Sequence, residues 1–318
     1  MLNKKSVTVI GSGAVGGYYG GRLAQAGHDV RFLLRRDYEA VRRSGFKITS
    51  PDGDFVLLHP SIFRSAEEIG IVDWVICSLK ATSLHEGQRL LQPCVGSHTR
   101  ILVLMNGLGL EDRFAGWFGG ERVFGGMAFT CINRGEPGTI HHLGYGRVTL
   151  GHYQDNPDEL EEALSLWQGS RTDVVTTSCL LKARWEKLCW NIPFSGLCVA
   201  GGGITTDKIL DDHDLSLAAR GLMQEVIAAG NADLEAHREK ARIDGPSMID
   251  NMFRQTSTMG DYRPSTMLDF VEGRAMEVEA IWGEPLRRAQ MLNVDTPRLS
   301  LLTAILRSLD RKTLDVLR

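Results

Sequence analysis

The chain has no apolar run of the length a membrane span requires. Its candidates, such as Ile101 to Met105, fall far short of the roughly 20 residues needed to cross a bilayer. It also lacks any extended block of like charge, and its 36 basic and 39 acidic residues leave a formal net charge of only -3. That balance gives no electrostatic footprint for nucleic acid, so neither a nucleic acid nor a membrane is an expected partner. The six cysteines, Cys77, Cys94, Cys131, Cys179, Cys189 and Cys198, show no C-x-x-C spacing. Buried free thiols in a reducing compartment are expected, with no metal site and no disulfide framework. There is no internal repeat and no low-complexity segment. The first strand begins by Ser6, which leaves no room for a signal sequence, so the expected location is the cytoplasm.

At 318 residues the chain exceeds the size at which a single core usually stops growing, and two domains are expected. The stretch that organises the first of them runs from Val7 to Gly17. A β-branched run, Val7 to Ile10, feeds a turn with glycine at positions 11, 13 and 16, and a helix is predicted from Ala14 to about Ala26. Strand, tight turn and helix in this order form a dinucleotide-binding fingerprint. Gly11 makes the turn, Gly13 lets backbone amides approach a pyrophosphate, and Gly16 lets the helix pack on the strand. The phosphates then face the unpaired amides and the positive dipole end of the helix.

One further absence bears on the cofactor. An acidic residue usually closes the second strand of an NAD site, where it holds the ribose 2'-hydroxyl. Here the strand Asp29 to Leu34 runs into Arg35-Arg36. Arg35 suits a 2'-phosphate, which favours NADPH, while the nearby Asp37 keeps NAD open and an exposed basic pair remains the plain alternative. Residues 46–50 and 55–58 read as a hairpin. Asp73 to Leu79 and Ile101 to Met105 read as strands buried on both faces, with Lys80 and Asn106 at their carboxyl ends, where ligands of open α/β sheets collect. Lys80 is equally readable as a solvated lysine, and Asn106 as part of a plain Asn-Gly turn. Strands are also expected at 123–130, 138–142, 147–151 and 173–177, with a helix at 160–167. His141 and His142 point to opposite faces of a strand and read as structural or surface residues.

From Leu180 onward helical patterns dominate, and the domain boundary is placed near residue 178. Lys187, Asn191 and Ser195 are spaced to share one helix face, with Pro193 expected to kink it. A lysine there would protonate an oxygen as hydride arrives, with an amide and a hydroxyl orienting the substrate; a snorkelling surface lysine is the alternative.

Together, Gly11-Ser12-Gly13-Ala14-Val15-Gly16, Asn106-Gly107, Trp185-x-Lys187-Leu188-x-x-Asn191, Pro264-Ser265 and Gly273-Arg274-x-x-Glu277 resemble the ketopantoate reductase (2-dehydropantoate 2-reductase) family. The similarity runs over nearly the whole chain, with motifs in both halves and in the family's order. It implies an α/β Rossmann domain over 1–178 that binds NADP, and an all-α substrate and catalytic domain over 179–318 of the 6-phosphogluconate dehydrogenase C-terminal type. The active site would lie in the cleft between them. By position, the resemblance makes Lys187 and Glu277 catalytic, and Asn106, Asn191, Ser195 and Ser265 substrate contacts. Gly11, Ser12, Gly13, Ala14, Val15, Gly16, Arg35, Lys80, Asn106 and Thr130 would hold the cofactor; Thr130 stands where the family usually has alanine.

Ser195 replaces a second asparagine of the family, and Thr205-Thr206-Asp207 replaces its asparagine-glycine-glutamate segment. The implied reaction is NADPH-dependent reduction of 2-dehydropantoate to pantoate, for pantothenate and coenzyme A. A paralogous reductase of another 2-oxo or 3-oxo acid, and a non-catalytic NADPH sensor, are the alternatives. The sequence does not fix the oligomeric state and admits a homodimer. Ser265 and Glu277 would lie roughly 18 Å apart on a straight helix. Either the helix starts late, or it bends near Gly273, or only one of the two meets substrate.

Overall fold

The computed structural model describes residues 4–316, with side chains described to residue 311. The chain forms two compact units. One takes the described residues up to Met105 together with Leu110–Leu180, and the other takes Asn106–Gly109 and the chain from Leu181 onward.

The first unit is built on ten strands: β1 (Ser6–Ile10), β2 (Asp29–Leu33), β3 (Phe46–Thr49), β4 (Phe55–Leu57), β5 (Ser61–Phe63), β6 (Trp74–Cys77), β7 (Arg100–Val103), β8 (Val123–Arg134), β9 (Thr139–His152) and β10 (Val174–Thr176). They share one sheet in the order β4-β3-β9-β8-β7-β6-β1-β2-β5, with β10 paired to β9. From β5 through β2, β1, β6 and β7 to β8 every pairing is parallel. This is the doubly wound order 3-2-1-4-5-6 of a Rossmann domain. Beyond it, β9 runs antiparallel to β8, and the hairpin β3–β4 joins through β9.

Side-chain alternation explains the two layers of core. Val7 and Val9 of β1 and Trp74 and Ile76 of β6 face one side, where Tyr18, Tyr19 and Leu23 of helix α1 (Ala14–Gln25) cover them. Ile10, Val75 and Cys77 face the other side with Ile101 and Val103. Strands buried on both faces read as unbroken apolar runs, as these do. The remaining helices of this unit are α2 (Tyr38–Ser44), α3 (Gly87–Leu91), α4 (Leu110–Phe118) and α5 (Pro157–Leu166).

Two expectations change. The segments 138–142 and 147–151 are one continuous strand, because its turn-like residues are absorbed as irregularities. The register skips Gly146 and Leu143, and Tyr145 and Gly146 take positive φ. The short β5, whose three residues carry no legible pattern, supplies the outermost parallel strand.

His142, 2% exposed, is structural in this sheet. Its Nε2 lies 3.1 Å and 3.0 Å from the Gly144 and Tyr145 carbonyls and must donate, so Nδ1 accepts from Ser50 Oγ at 2.8 Å. Burial holds its pKa below the ordinary value, opposed by the backbone acceptors and Asp52; burial does the same to His28. Both rings are therefore neutral in the fold at pH values where the unfolded chain binds protons. Stability should fall as pH drops below about 6.5. Denaturant midpoints at pH 7.5 and 5.5 check this: the lower pH should give the lower midpoint, and His142→Gln should shrink the difference.

The second unit is all helical among the described residues: α6 (Leu180–Trp190), α7 (Gly196–Ala200), α8 (Thr206–Asp211), α9 (His213–Ala236), α10 (Gly245–Ser257), α11 (Ser265–Val271), α12 (Glu284–Met291) and α13 (Pro297–Val316). The long α9 is its spine. Asp233 of α9 accepts from Trp185 Nε1 at 2.8 Å and from Arg288 at 2.9 Å, which ties α6 and α12 to it. Glu225, also on α9, accepts from the amides of Arg298 and Leu299 and caps the orphan donors that open α13. Among the described residues no helix is long and apolar enough to cross a membrane.

Candidate active site

In the first unit the glycine-rich turn joins β1 to α1. Gly11 has φ +95°, and a side chain there would meet the backbone of Ser78 and Leu79 at 2.5–2.7 Å. Gly16 lies against the sheet: a Cβ would sit 2.6 Å from Gly11 O and 2.9 Å from Val9 Cγ1. Gly13 differs from both. Its φ is -79°, and the nearest atom to a Cβ would be Gly11 O at 3.9 Å. Nothing in the fold demands glycine at 13, so the vacant space fits the close approach of an outside group. Gly13 also caps α1 without a side-chain hydrogen bond, and the first turn carries no acid. The opening amides, from Ala14 and Val15 onward, are thus left for an anion. Ser12 is buried and donates from Oγ to Val9 O at 3.1 Å, which makes it a brace of the turn.

Arg35 and Arg36 follow β2 and are exposed; Lys80 follows β6 and is exposed as well. Asp37 is buried and paired with Arg134. Thr130 sits at an irregularity in the β8 register, and its Oγ1 is buried next to the Tyr19 hydroxyl. That side chain is turned into the unit. All six cysteines are free thiols, five of them buried, and burial pushes the Cys77 and Cys198 thiols up to about 12.

The second unit gathers the other candidates. Lys187 lies in the last turn of α6, partly buried, with Arg184 one turn before it, 3% exposed. Burial, and then the Arg184 guanidinium, pull the Lys187 ammonium down to about 7 from 10.5, while the Glu277 carboxylate acts in the opposite direction. Proline at 193 cannot donate within the helix, and residues Asn191–Ser195 form a π-turn between α6 and α7. Asn191 and Ser195 are the first and last residues of that turn. Asn191 is half-buried and Ser195 is 5% exposed.

Glu277, 8% exposed, stands just before a second π-turn, Glu279–Gly283, that leads into α12. Trp282 of that turn donates from Nε1 to Ile192 O at 3.0 Å, which joins the two π-turns. The segment Asn106–Gly109 docks on the second one. Leu108 N donates to Ala280 O at 3.0 Å, and a side chain at Gly107 would strike Ala280. Asn106, read from sequence as the end of a sheet strand, is thereby carried with the helical unit.

Ser265 opens α11 and is exposed; α11 ends at Val271, Gly273 takes φ +68°, and the helix does not resume until Val278. No straight helix joins Ser265 to Glu277, so the rise per residue sets no distance between them. Thr205 precedes α8, and Thr206 is fully buried with its Oγ1 donating to Gly260 O.

Sequence reasoning missed three features: Arg184, the Asp37–Arg134 pair and the Trp282 link. Only Arg184 had a legible signal, a cation one helical turn from Lys187.

The model of the family described as "Ketopantoate reductase PanE/ApbA" matches residues 7–155, and that of its C-terminal domain matches residues 180–310. A 2-dehydropantoate 2-reductase of Nostoc sp. is 36% identical over 315 residues, covering 97% of this chain and 96% of that protein. The crystal structure of 2-dehydropantoate 2-reductase from Geobacter metallireducens is similar with a TM-score of 0.91 and 41% identity, over 95% of this chain and 99% of that one. D-Mandelate dehydrogenase, solved with NADH and anilino(oxo)acetate, is 21% identical with a TM-score of 0.87 over 97% and 99% of the two chains, a likeness of fold alone. The chain belongs to the ketopantoate reductase family of NAD(P)-dependent oxidoreductases.

Proposed function

We propose that this protein reduces a small 2-oxo acid with NADPH, and that the acid is 2-dehydropantoate, giving pantoate for pantothenate and coenzyme A. The observation that carries the reading is a lysine whose pKa, about 7, suits proton donation near neutrality, beside a buried glutamate. The residues of the first unit fit a dinucleotide: the vacancy at Gly13, the uncapped start of α1 and the exposed Arg35 at the end of β2 suit a pyrophosphate and a 2'-phosphate. The cofactor supplies hydride to the ketone carbon. Lys187 gives its proton to the developing alkoxide oxygen, and Glu277 favours the charged form of Lys187 and so keeps that proton available. Asn106, Asn191 and Ser195 orient the substrate, and Ser265 holds its carboxylate. The first unit, near residues 1–178, serves the cofactor and the second the substrate. The relatives named above for the 2-dehydropantoate reaction support this substrate.

Ser195 favours one second reading, a paralogue for another 2-oxo or 3-oxo acid, because its short hydroxyl takes the place of a longer amide. Initial rates of NADPH oxidation with 2-dehydropantoate and with 2-oxoisovalerate, which lacks the 4-hydroxyl, separate the two. A strong preference for 2-dehydropantoate is expected. Slow turnover of both, with tight NADPH binding, would turn the assignment to the paralogue.

A further inference from the structure

Asp37 is the acidic residue nearest the basic pair that follows β2, the region where this fold selects between cofactors. It is only 7% exposed. Its Oδ2 pairs with Arg134 at the end of β8, and its Oδ1 lies 3.7 Å from Arg36 Nε, buried and accepting no hydrogen bond. The other acids nearby have cations of their own: Glu39 pairs with Arg42 and Arg64, and Glu86, which Arg35 also influences, pairs with Arg89. Arg35 and Arg36 are exposed. A ribose 2'-phosphate brings a charge near -2 to this place. Without Arg134 the buried carboxylate would be left to pair with Arg36, holding that guanidinium back from the phosphate and adding its own repulsion. With Arg134 in place, the group of Arg35, Arg36, Asp37 and Arg134 carries a net +2; without Arg134 it carries +1.

We propose that Arg134 is a specificity-determining residue that sets the preference for NADPH indirectly, by neutralising Asp37 so that Arg35 and Arg36 meet the 2'-phosphate unopposed. This rests on the NADPH reading above. Arg134 ends β8, in the part of that strand that pairs with the antiparallel β9 and lies beyond its parallel register with β7. The role therefore belongs to a part of the chain that the glycine-rich fingerprint does not include.

The test is the Kd of NADPH and of NADH, measured by titration calorimetry on the full chain. The proteins are wild type, Arg134→Gln, Arg134→Lys, Asp37→Asn and the double variant Arg134→Gln/Asp37→Asn. Arg134→Gln should weaken NADPH by about tenfold and leave NADH within about twofold, because only the 2'-phosphate carries the charge that a carboxylate stripped of Arg134 repels. Arg134→Lys, which keeps the charge, should hold the wild-type ratio. The double variant should return NADPH to within about threefold of wild type, since removing the carboxylate removes the need for its partner.

A double variant as weak for NADPH as Arg134→Gln would overturn the proposal and make Arg134 a direct phosphate ligand. An unchanged ratio in Arg134→Gln would overturn it as well. If the single Gln variant does not fold, the Asp37→Asn and double variants still decide, because their NADPH affinities should agree within about threefold. A wild type without preference for NADPH would overturn the cofactor reading itself, an outcome distinct from a preference that ignores Arg134.

Discussion

Lys187→Met should cut turnover about 1,000-fold and raise the melting temperature of the same protein. Burial draws the lysine's pKa down to about 7 from 10.5, and it is partly buried rather than sealed. One pKa unit corresponds to about 1.4 kcal/mol, so carrying this lysine costs the fold on the order of 2 to 4 kcal/mol at neutral pH after allowance for solvent. The sign follows from proton counting. Between pH 7 and 10.5 the unfolded chain holds a proton that the folded chain has released, so stability rises with pH across that window and the cost is fully present below it. Methionine has nearly the same shape and no charge. The variant should gain roughly 2 to 4 kcal/mol, several degrees in Tm, while kcat falls about 1,000-fold and the NADPH Kd stays within about twofold. In the wild type, kcat/KM for ketone reduction should decline as pH rises through about 7, because the proton to be donated is lost. Scanning calorimetry with steady-state kinetics checks each part. A methionine variant that keeps a tenth of the activity would overturn the proton-donor role of Lys187, and one that melts earlier would overturn the cost assigned to burying it.

What the sequence made legible was local. The turn at Gly11, Gly13 and Gly16 could be read because strand, turn and helix are neighbours in the chain, and the buried strands because both faces are apolar. The arrangement of β9 was not, since Gly144 and Gly146 carry the same signal in a turn and in an irregular strand. The Asp37–Arg134 pair spans 97 residues and depends on how β8 extends past the parallel sheet. Asn106 was a strand-end asparagine by pattern, and its attachment through Leu108 to Ala280 is a long-range backbone bond with no side-chain signature. Proline at 193 announced an interruption of the helix but not its form. In the π-turn that it takes, the Ile192 carbonyl accepts from Trp282, a partner remote in sequence. The path from Ser265 to Glu277 is intermediate. Gly273 marked the candidate break, and the structure replaces the single helix by two separated by a turn and an irregular stretch.

Gly13→Ala and Gly16→Ala, three positions apart in one turn, should fail in opposite ways. At Gly13 the backbone is already in a region open to alanine, and the new methyl would have no neighbour closer than 3.9 Å. The stability change should stay within about 1 kcal/mol, the small loss of a glycine cap set against a less flexible unfolded chain. The methyl nonetheless occupies the space through which the opening amides of α1 would reach a pyrophosphate. NADPH should therefore bind about 100-fold more weakly. At Gly16 the methyl would sit 2.2 Å from Ser78 Oγ and 2.6 Å from Gly11 O. The serine hydroxyl can rotate only by giving up its 2.9 Å bond to that same carbonyl, and the carbonyl belongs to the turn itself. Helix and strand must then part, at a cost of roughly 2 to 4 kcal/mol and a Tm lower by roughly 5 to 10 °C. Calorimetric melting and NADPH titration on both variants read the two effects separately. Normal NADPH affinity in Gly13→Ala would mean that the vacancy at Gly13 serves no ligand, and the dinucleotide would then have to be held by some other part of the first unit.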